Sequence, residues 1–490
     1  MRRRFVLATA IILALLIWSV VLPNVSVIAG SFAHGLDDWR SFAASPADRE
    51  ALWSTLVISI GSVIAALIIG LPLAFLLGRF DFRGRRALSA VATLPAALPP
   101  LVGVIAFLFL YGESGVVTRT VQRALGLEHA PWSLTGLSAI IFVHAYTMYV
   151  YVFLFVAAGL ERYDGTLDEA AAGLGATRAR TLARITLPLL MPSIAGAMLL
   201  VFMSSLGSFS APYIFGGGQR VLATQILVSK LNGSMGLAYV ETTVLALAAV
   251  GALIALRGLE RRRRYALAGK GKATRVAVRS PAARAIAPIA ALVVVTFLVL
   301  PHAMVVLVSF ARDGAWTTQI VPPEYTLDNF RRLVSDPELW RPITNSVGMS
   351  VLATAANVLV CFIAAYLIVL TRAPGRRLLQ LLVVLPWAIP ATAARGLGAS
   401  WLLALRRVVL PAARPGLVAG TMLAAIAAVG EFVASVVLYT HANRPISIEI
   451  LAQLRSLSFG TAAAYSVLLI ALVLAITLGA RLAEGRVERI

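Results

Sequence analysis

Cysteine and charge are both scarce in this 490-residue sequence. Cys361 is the single cysteine and lies in an apolar run, which excludes intrachain disulfides and cysteine-built metal clusters. Charged residues are 13% of the chain against 59% hydrophobic, which excludes an ordinary water-soluble globule. The five histidines are scattered, and no nucleophile–base pair or metal triad is spaced among them, so the chain does not read as an enzyme. A phosphate loop is missing as well. Gly269-Lys270-Gly271-Lys272 has Ala266 and Ala273 where the G-x-x-x-x-G-K-[ST] pattern needs glycine and a hydroxyl residue.

What is present is a series of apolar runs near the ~20 residues a helix needs to cross a bilayer. The first half offers spans at roughly 5–29, 55–77, 88–110, 136–160, 190–213 and 239–257. The second offers 286–310, 346–370, 416–439 and 462–480. The net charge of +21 could suggest nucleic acid, but the arginines cluster at the ends of apolar runs rather than along a face that could follow phosphates. Arg2-Arg3-Arg4 precedes an apolar run too long for a signal-peptide core, so a retained first span starting in the cytoplasm is expected. From that start, Arg79, Arg83, Arg85, Arg86, Arg162, Arg178, Arg180, Arg184 and Arg261 to Arg264 all fall inside. Asp37, Asp38, Asp48, Glu50 and Glu113 fall outside, and both termini are cytoplasmic.

The chain is also a duplication. Glu169 to Pro188 (EAAAGLGATRARTLARITLP) recurs as Thr392 to Pro411 (TAARGLGASWLLALRRVVLP). Ala170/Ala393, Ala171/Ala394, Gly173/Gly396, Gly175/Gly398, Arg184/Arg407 and Pro188/Pro411 match at an offset of 223. Upstream, Gly84-Arg85-Arg86 matches Gly375-Arg376-Arg377 and Pro99 matches Pro390 at an offset of 291, so 68 residues are missing near 390–392. The missing part corresponds to most of the third span and all of the fourth. Leu378 to Pro390 is a stub too short to cross.

The expected fold is all-α and polytopic, with about ten full spans plus a truncated one. Residues 1–258 form the first repeat with its loop at 166–188, 259–284 a basic cytoplasmic linker, and 285–490 the shortened second repeat with its loop at 392–411. In the first loop, Thr166 and Glu169 fit a capping box, a short helix runs from about Leu167 to Leu174, and Gly175 lets the backbone turn. Ordinary turn glycines do not explain the same spacing in both halves.

The spacing E-A-A-x3-G-x9-I-x-L-P resembles the signature loop of binding-protein-dependent ABC importer permeases, and its doubling resembles their fused two-domain members. The likeness covers nearly the whole chain; Thr392 and Val408 depart from it. It implies a bacterial inner-membrane permease subunit whose loops dock a separate cytoplasmic ABC ATPase, a homodimer. That ATPase would hold ATP and Mg, and this chain would bind no cofactor. An external substrate-binding protein would deliver the cargo. Carried over, Glu169, Ala170, Ala171 and Gly175 form one docking site, and Ala393, Ala394 and Gly398 the other.

Polar residues inside spans are the candidates for a pathway: Glu431, its repeat partner Ser208, Glu241 and His144. For Glu431, an interhelical hydrogen bond is the competing reading; for His144, Tyr146 and Tyr149 it is ordinary helix packing or an interfacial belt. The segments SFSAPYIFGG and GEFVASVVLYTHANRPISIEI resemble ferric-iron permeases of the group that includes thiamine and polyamine importers, which implies iron as cargo. An ion-gradient-driven secondary transporter, with Glu431 or Glu241 carrying a proton, is the rival class. A transport-defective remnant is the other alternative, because of the gap.

Overall fold

The computed structural model describes residues 2–97, 99–262, 276–277, 281–316, 319–370, 375, 378–379 and 410–485. Helices dominate. α1 (Arg2–Leu16) passes through a π-turn (Ile17–Val21) into α2 (Leu22–Gly30), and α3 (Asp37–Ala44) leads to α4 (Pro46–Arg79). Next come α5 (Arg85–Ala92), α6 (Pro100–Tyr111), α7 (Val116–Ala124) and α8 (Gly136–Glu161). α9 (Thr166–Gly173), α10 (Arg178–Thr181), α11 (Leu187–Leu206), α12 (Ser210–Phe215), α13 (Leu222–Leu231) and α14 (Met235–Arg262) complete the first half. The second half has α15 (Pro281–Ser309), α16 (Asp328–Ser335), α17 (Pro337–Leu370), α18 (Leu410–Val429), α19 (Val433–Leu438), α20 (Ile446–Arg455) and α21 (Phe459–Gly485). A short parallel pair joins β1 (Phe80–Asp81) to β2 (Val276–Ala277), and an isolated antiparallel bridge links Ala311 to Tyr325.

Nine helical stretches among the described residues are long and apolar enough to cross a membrane. The expected span at 416–439 corresponds to α18, which stops at Val429. Its first-half counterpart at 190–213 likewise stops at Leu206. Both breaks fall at a matched glycine, Gly207 and Gly430, and a six-residue helix follows each. The expected span at 88–110 is also interrupted. The chain leaves α5 at Thr93, makes a 3-10 turn over Leu94–Ala97, and restarts at Pro100, because Pro95, Pro99 and Pro100 cannot donate to a helix ladder. The apolar stretch Pro100–Ala124 takes its place. The stub near 378–390 is described only at Leu378 and Leu379. The gap near 390–392 and the loop at 392–411, up to residue 409, lie outside the described residues, as does most of the linker at 259–284.

α4 shows how a membrane helix inverts the soluble pattern. Ser45 caps it, accepting the Asp48 amide at 3.3 Å, with Pro46 at the first position. Its 34 residues span about 51 Å at 1.5 Å per residue, longer than the hydrocarbon layer. Ile60, Ile64 and Ile68 point outward, while Ser62, Ala66, Gly70 and Ala74 are buried. Small inward residues let backbones approach closely, which is how helices associate where lipid offers no hydrophobic contrast. A Cβ added at Gly70 would lie 2.6 Å from the Val152 Cβ and 2.7 Å from the Tyr149 carbonyl oxygen, both on α8. α11 closes the other side of α8, with Gly159 against Ser193 and Leu190.

The helices gather into two compact units. One comprises residues 31–331 and 450–467; its core is built on α4, α8 and α11, and α15 contributes Ala291, Val295 and Leu298. The other comprises residues 1–30, 332–449 and 468–490. There Ile12 of α1 is buried with Ala364 and Leu367 of α17, and Phe5 lies 6.3 Å from Tyr366. This second unit also holds an apolar groove of about 680 Å³ between α17, α18 and α21, bordered by Val351, Thr354, Val358, Thr421, Ala425 and Leu472. Thr421 and Ala425 align with Met198 and Phe202 of α11, so smaller side chains line this wall.

Candidate functional site

The first signature loop is fully described. α9 begins one residue earlier than the capping-box reading places it, and the box does not form. Gly165 is the N-cap, without a side-chain cap, and Thr166 is the first helical residue. Asp164 takes over: its Oδ1 accepts from the Thr166 amide at 3.0 Å and the Thr166 hydroxyl at 2.9 Å. Local Asp-to-backbone bonding of this kind satisfies an otherwise orphan donor. At the other end the Gly175 amide donates to Ala172 at 3.0 Å and the Ala176 amide to Ala171 at 2.9 Å. That pair of bonds is a Schellman motif, and it requires the left-handed backbone that Gly175 supplies at φ +77°. An added Cβ there would meet nothing within 4 Å, so backbone conformation rather than space demands the glycine.

The helix has two faces. Glu169, Ala170, Gly173 and Gly175 are exposed, and Leu174 stands 90% exposed at the tip. Ala171 is 7% exposed and turned into its own chain. Asp168, one turn before Ala171 on the inner side, is the hub of a polar joint that the sequence reading passed over. Its Oδ2 accepts from Arg79 Nη2, at the end of α4. Its Oδ1 accepts from the Tyr163 hydroxyl at 2.7 Å and from the Thr186 hydroxyl at 3.4 Å. The Arg79 guanidinium also sits 5.6 Å from the Tyr163 ring centre, a cation–π distance. Burial pushes the Tyr163 phenol above its ordinary pKa, so it remains a proton donor to Asp168. Tyr163 follows α8, and Thr186 ends the π-turn (Leu182–Thr186) that feeds α11. One carboxylate thus ties the loop to three membrane helices. Ala393, Ala394 and Gly398 of the second loop lie outside the described residues.

Two of the four pathway candidates come together. His144 Nε2 is 2.9 Å from Ser208 Oγ, and His144 Nδ1 is 3.0 Å from Ser62 Oγ and 3.1 Å from Ser205 Oγ. This buried network links α4, α8 and the break after α11; Ser62 and Ser205 carried no sequence signal beyond being hydroxyls in an apolar run. Tyr149 donates to the Ala92 carbonyl at 2.9 Å, while Tyr146 packs at 4.5 Å from Phe107. Glu241 is elsewhere, fully buried, with Oε1 accepting from Ser229 at 2.8 Å and the buried Asp48 carboxyl beside it. The Glu431 carboxylate makes its contacts locally. It caps α19, accepting the Ala434 and Ser435 amides at 2.8 and 2.9 Å and the Ser435 hydroxyl at 2.8 Å. A negative group over the first-turn amides of a helix is favourable there. Among the described residues no group of three or more His, Cys, Asp or Glu is placed to hold a metal ion.

The family described as the binding-protein-dependent transport system inner membrane component matches residues 70–265 and 390–489, and so includes both signature loops. The probable ABC transporter permease protein y4fN of Sinorhizobium fredii (strain NBRC 101917 / NGR234) is 28% identical over 365 residues. That alignment covers 74% of this chain and 64% of the relative. The molybdenum transport system permease protein ModB of Mycobacterium tuberculosis (strain ATCC 25618 / H37Rv) is 28% identical over 224 residues, 44% of this chain and 83% of its own. The ferric transport system permease protein FbpB of Actinobacillus pleuropneumoniae is 28% identical over 223 residues, 44% of this chain and 32% of its own.

Proposed function

The chain belongs to the binding-protein-dependent transport system inner membrane component family, and from that membership we propose that it is the permease subunit of an ATP-driven importer, coupling a separate cytoplasmic ATPase to substrate passage. The observation that carries this reading is the surface of α9. Glu169, Ala170, Gly173, Leu174 and Gly175 form a small-residue knob with one bare leucine, the shape that fits a groove on another protein. Ala171 takes the complementary part of holding the knob to its own chain. Ala393, Ala394 and Gly398 would make the second dock. Both loops and both termini then face the cytoplasm, and ATP and Mg belong to the partner. An external binding protein delivers the cargo.

For the cargo we propose ferric iron, supported by the segments at 208–217 and 430–450 and by the FbpB relative. The ModB relative, equally similar, makes molybdate the competing cargo. Uptake of radiolabelled ferric iron against molybdate, each with its binding protein, separates the two.

The coupling reading is tested by co-purifying the membrane-expressed chain with the ATPase encoded beside it, alongside Gly175→Arg and Gly398→Arg. Loss of the ATPase from both variants is the expected result. Loss from Gly175→Arg alone would show that the shortened half has ceased to couple. Intact transport with no ATPase bound would overturn the reading in favour of a gradient-driven carrier.

A further inference from the structure

We infer that Asp168 is the positioning residue through which movement of the docked loop reaches the membrane helices, and that the second half lacks the residue types for an equivalent joint. The inference rests on the coupling reading above and deepens it.

A docking helix can move spans only if it is fixed to them. α9 is eight residues long, too short to hold itself in water, and it is joined to α8 and α10 by turns. Besides the buried Ala171, the polar fixture is one carboxylate with three side-chain donors from three directions: Arg79 at the end of α4, Tyr163 just after α8, and Thr186 at the start of α11. The Arg79 and Asp168 side chains are 21% and 17% exposed, so water competes weakly for the pair. α4, α8 and α11 are also the helices that pack around the first-half core and carry Ser62, His144 and Ser205. A push on α9 is therefore delivered to the helices that hold the buried polar network.

The repeat supplies the second, independent observation. At the matching positions the second half has Leu370 for Arg79, Ala391 for Asp168 and Val409 for Thr186, and the counterpart of Tyr163 falls in the missing 68 residues. All the polar groups are gone, although the small residues and glycines of the loop remain. The chemistry kept twice is that of docking; the chemistry kept once is that of transmission. The second loop thus anchors the ATPase, and the first loop carries its stroke.

The test uses the full chain bound to its ATPase and reads hydrogen–deuterium exchange by mass spectrometry, without nucleotide and with ATP plus vanadate, so no substrate is needed. In the wild type, nucleotide should change exchange about threefold or more both in 166–181 and at the ends of α4 and α8. In Asp168→Ala and Asp168→Asn the ATPase should stay bound and the change in 166–181 should persist, while the change at 70–79 and 150–161 is lost. The exchanged pair R79D/D168R, which restores the ion pair but not the acceptor for Tyr163 and Thr186, should recover the change at 70–79 and not that at 150–161. A wild-type-sized change at 70–79 in either single variant would overturn the inference. So would variants that are monodisperse but no longer bind the ATPase, since Asp168 would then act in docking alone. If the wild type itself binds no ATPase, the coupling reading fails first, and the two failures are told apart.

Discussion

α4 and α17 stand at matching places in the sequence, 291 residues apart. Each is 34 residues long, and their bounds match at the repeat offset of 291 at both ends. On α4 the stripe Ser62, Ala66, Gly70 and Ala74 is buried, largely beneath α8. On α17 the matching Ala353, Asn357, Cys361 and Ala365 are exposed among the described residues. Sequence gave both helices a seam of small side chains; only one has a described partner lying in it. Burial here is a property of the pair of helices: two helices of equal length have different environments according to what lies in the seam.

Gly70→Val against Cys361→Val breaks this comparison most forcefully, because the two positions are repeat equivalents. A side chain at Gly70 must displace the Tyr149 carbonyl and Val152, and overpacking of that severity costs about 3 kcal/mol. At Cys361 the same valine is expected to change stability by less than about 0.5 kcal/mol. Thermal unfolding in lipid nanodiscs measures both, and an equal loss would show that α17 has a tight partner after all. Leu174→Ala against its counterpart Leu397→Ala comes next. Removing a leucine buried on docking should cost about 2 kcal/mol, roughly 30-fold in ATPase affinity. Comparable losses at the two leucines are expected; a loss at Leu174 alone would mean that the second loop no longer docks. The smallest effect is Ala425→Phe, which restores the residue found at Phe202. Filling part of the groove should raise stability by about 0.5 kcal/mol, seen as a small upward shift in Tm.

Much of the architecture was legible because bilayer physics writes it plainly. Span length and the paired glycines act locally in sequence, and Gly175 does adopt the left-handed turn its position suggested. The interruption at Thr93–Pro99 was signalled by three prolines but masked by the hydrophobicity around them. Glu431 looked like an isolated acid in an apolar run, yet its partners are the amides three and four residues ahead, a local contact that hydropathy does not register. Asp168 was hidden for a different reason. Its partner Arg79 lies 89 residues away, and that arginine was already accounted for by topology, leaving no residual signal. Tertiary pairs of this kind emerge only when the helix ends are placed in space.

The allocation of first spans to units has a consequence for how the chain is made. α1 is synthesised long before the helix it packs against within its unit, α17, which begins at Pro337. α15, the first span of the second repeat, finds its place on α5 and α6 in the unit dominated by the first. Each unit therefore lacks one of its structural members until the second half of the chain has been synthesised. Contacts of such long sequence separation form late and slowly. Fusing the halves in one polypeptide keeps the two exchanged helices at a fixed one-to-one supply, and an early stop anywhere before α17 leaves α1 inserted in the membrane without the helix that completes its packing.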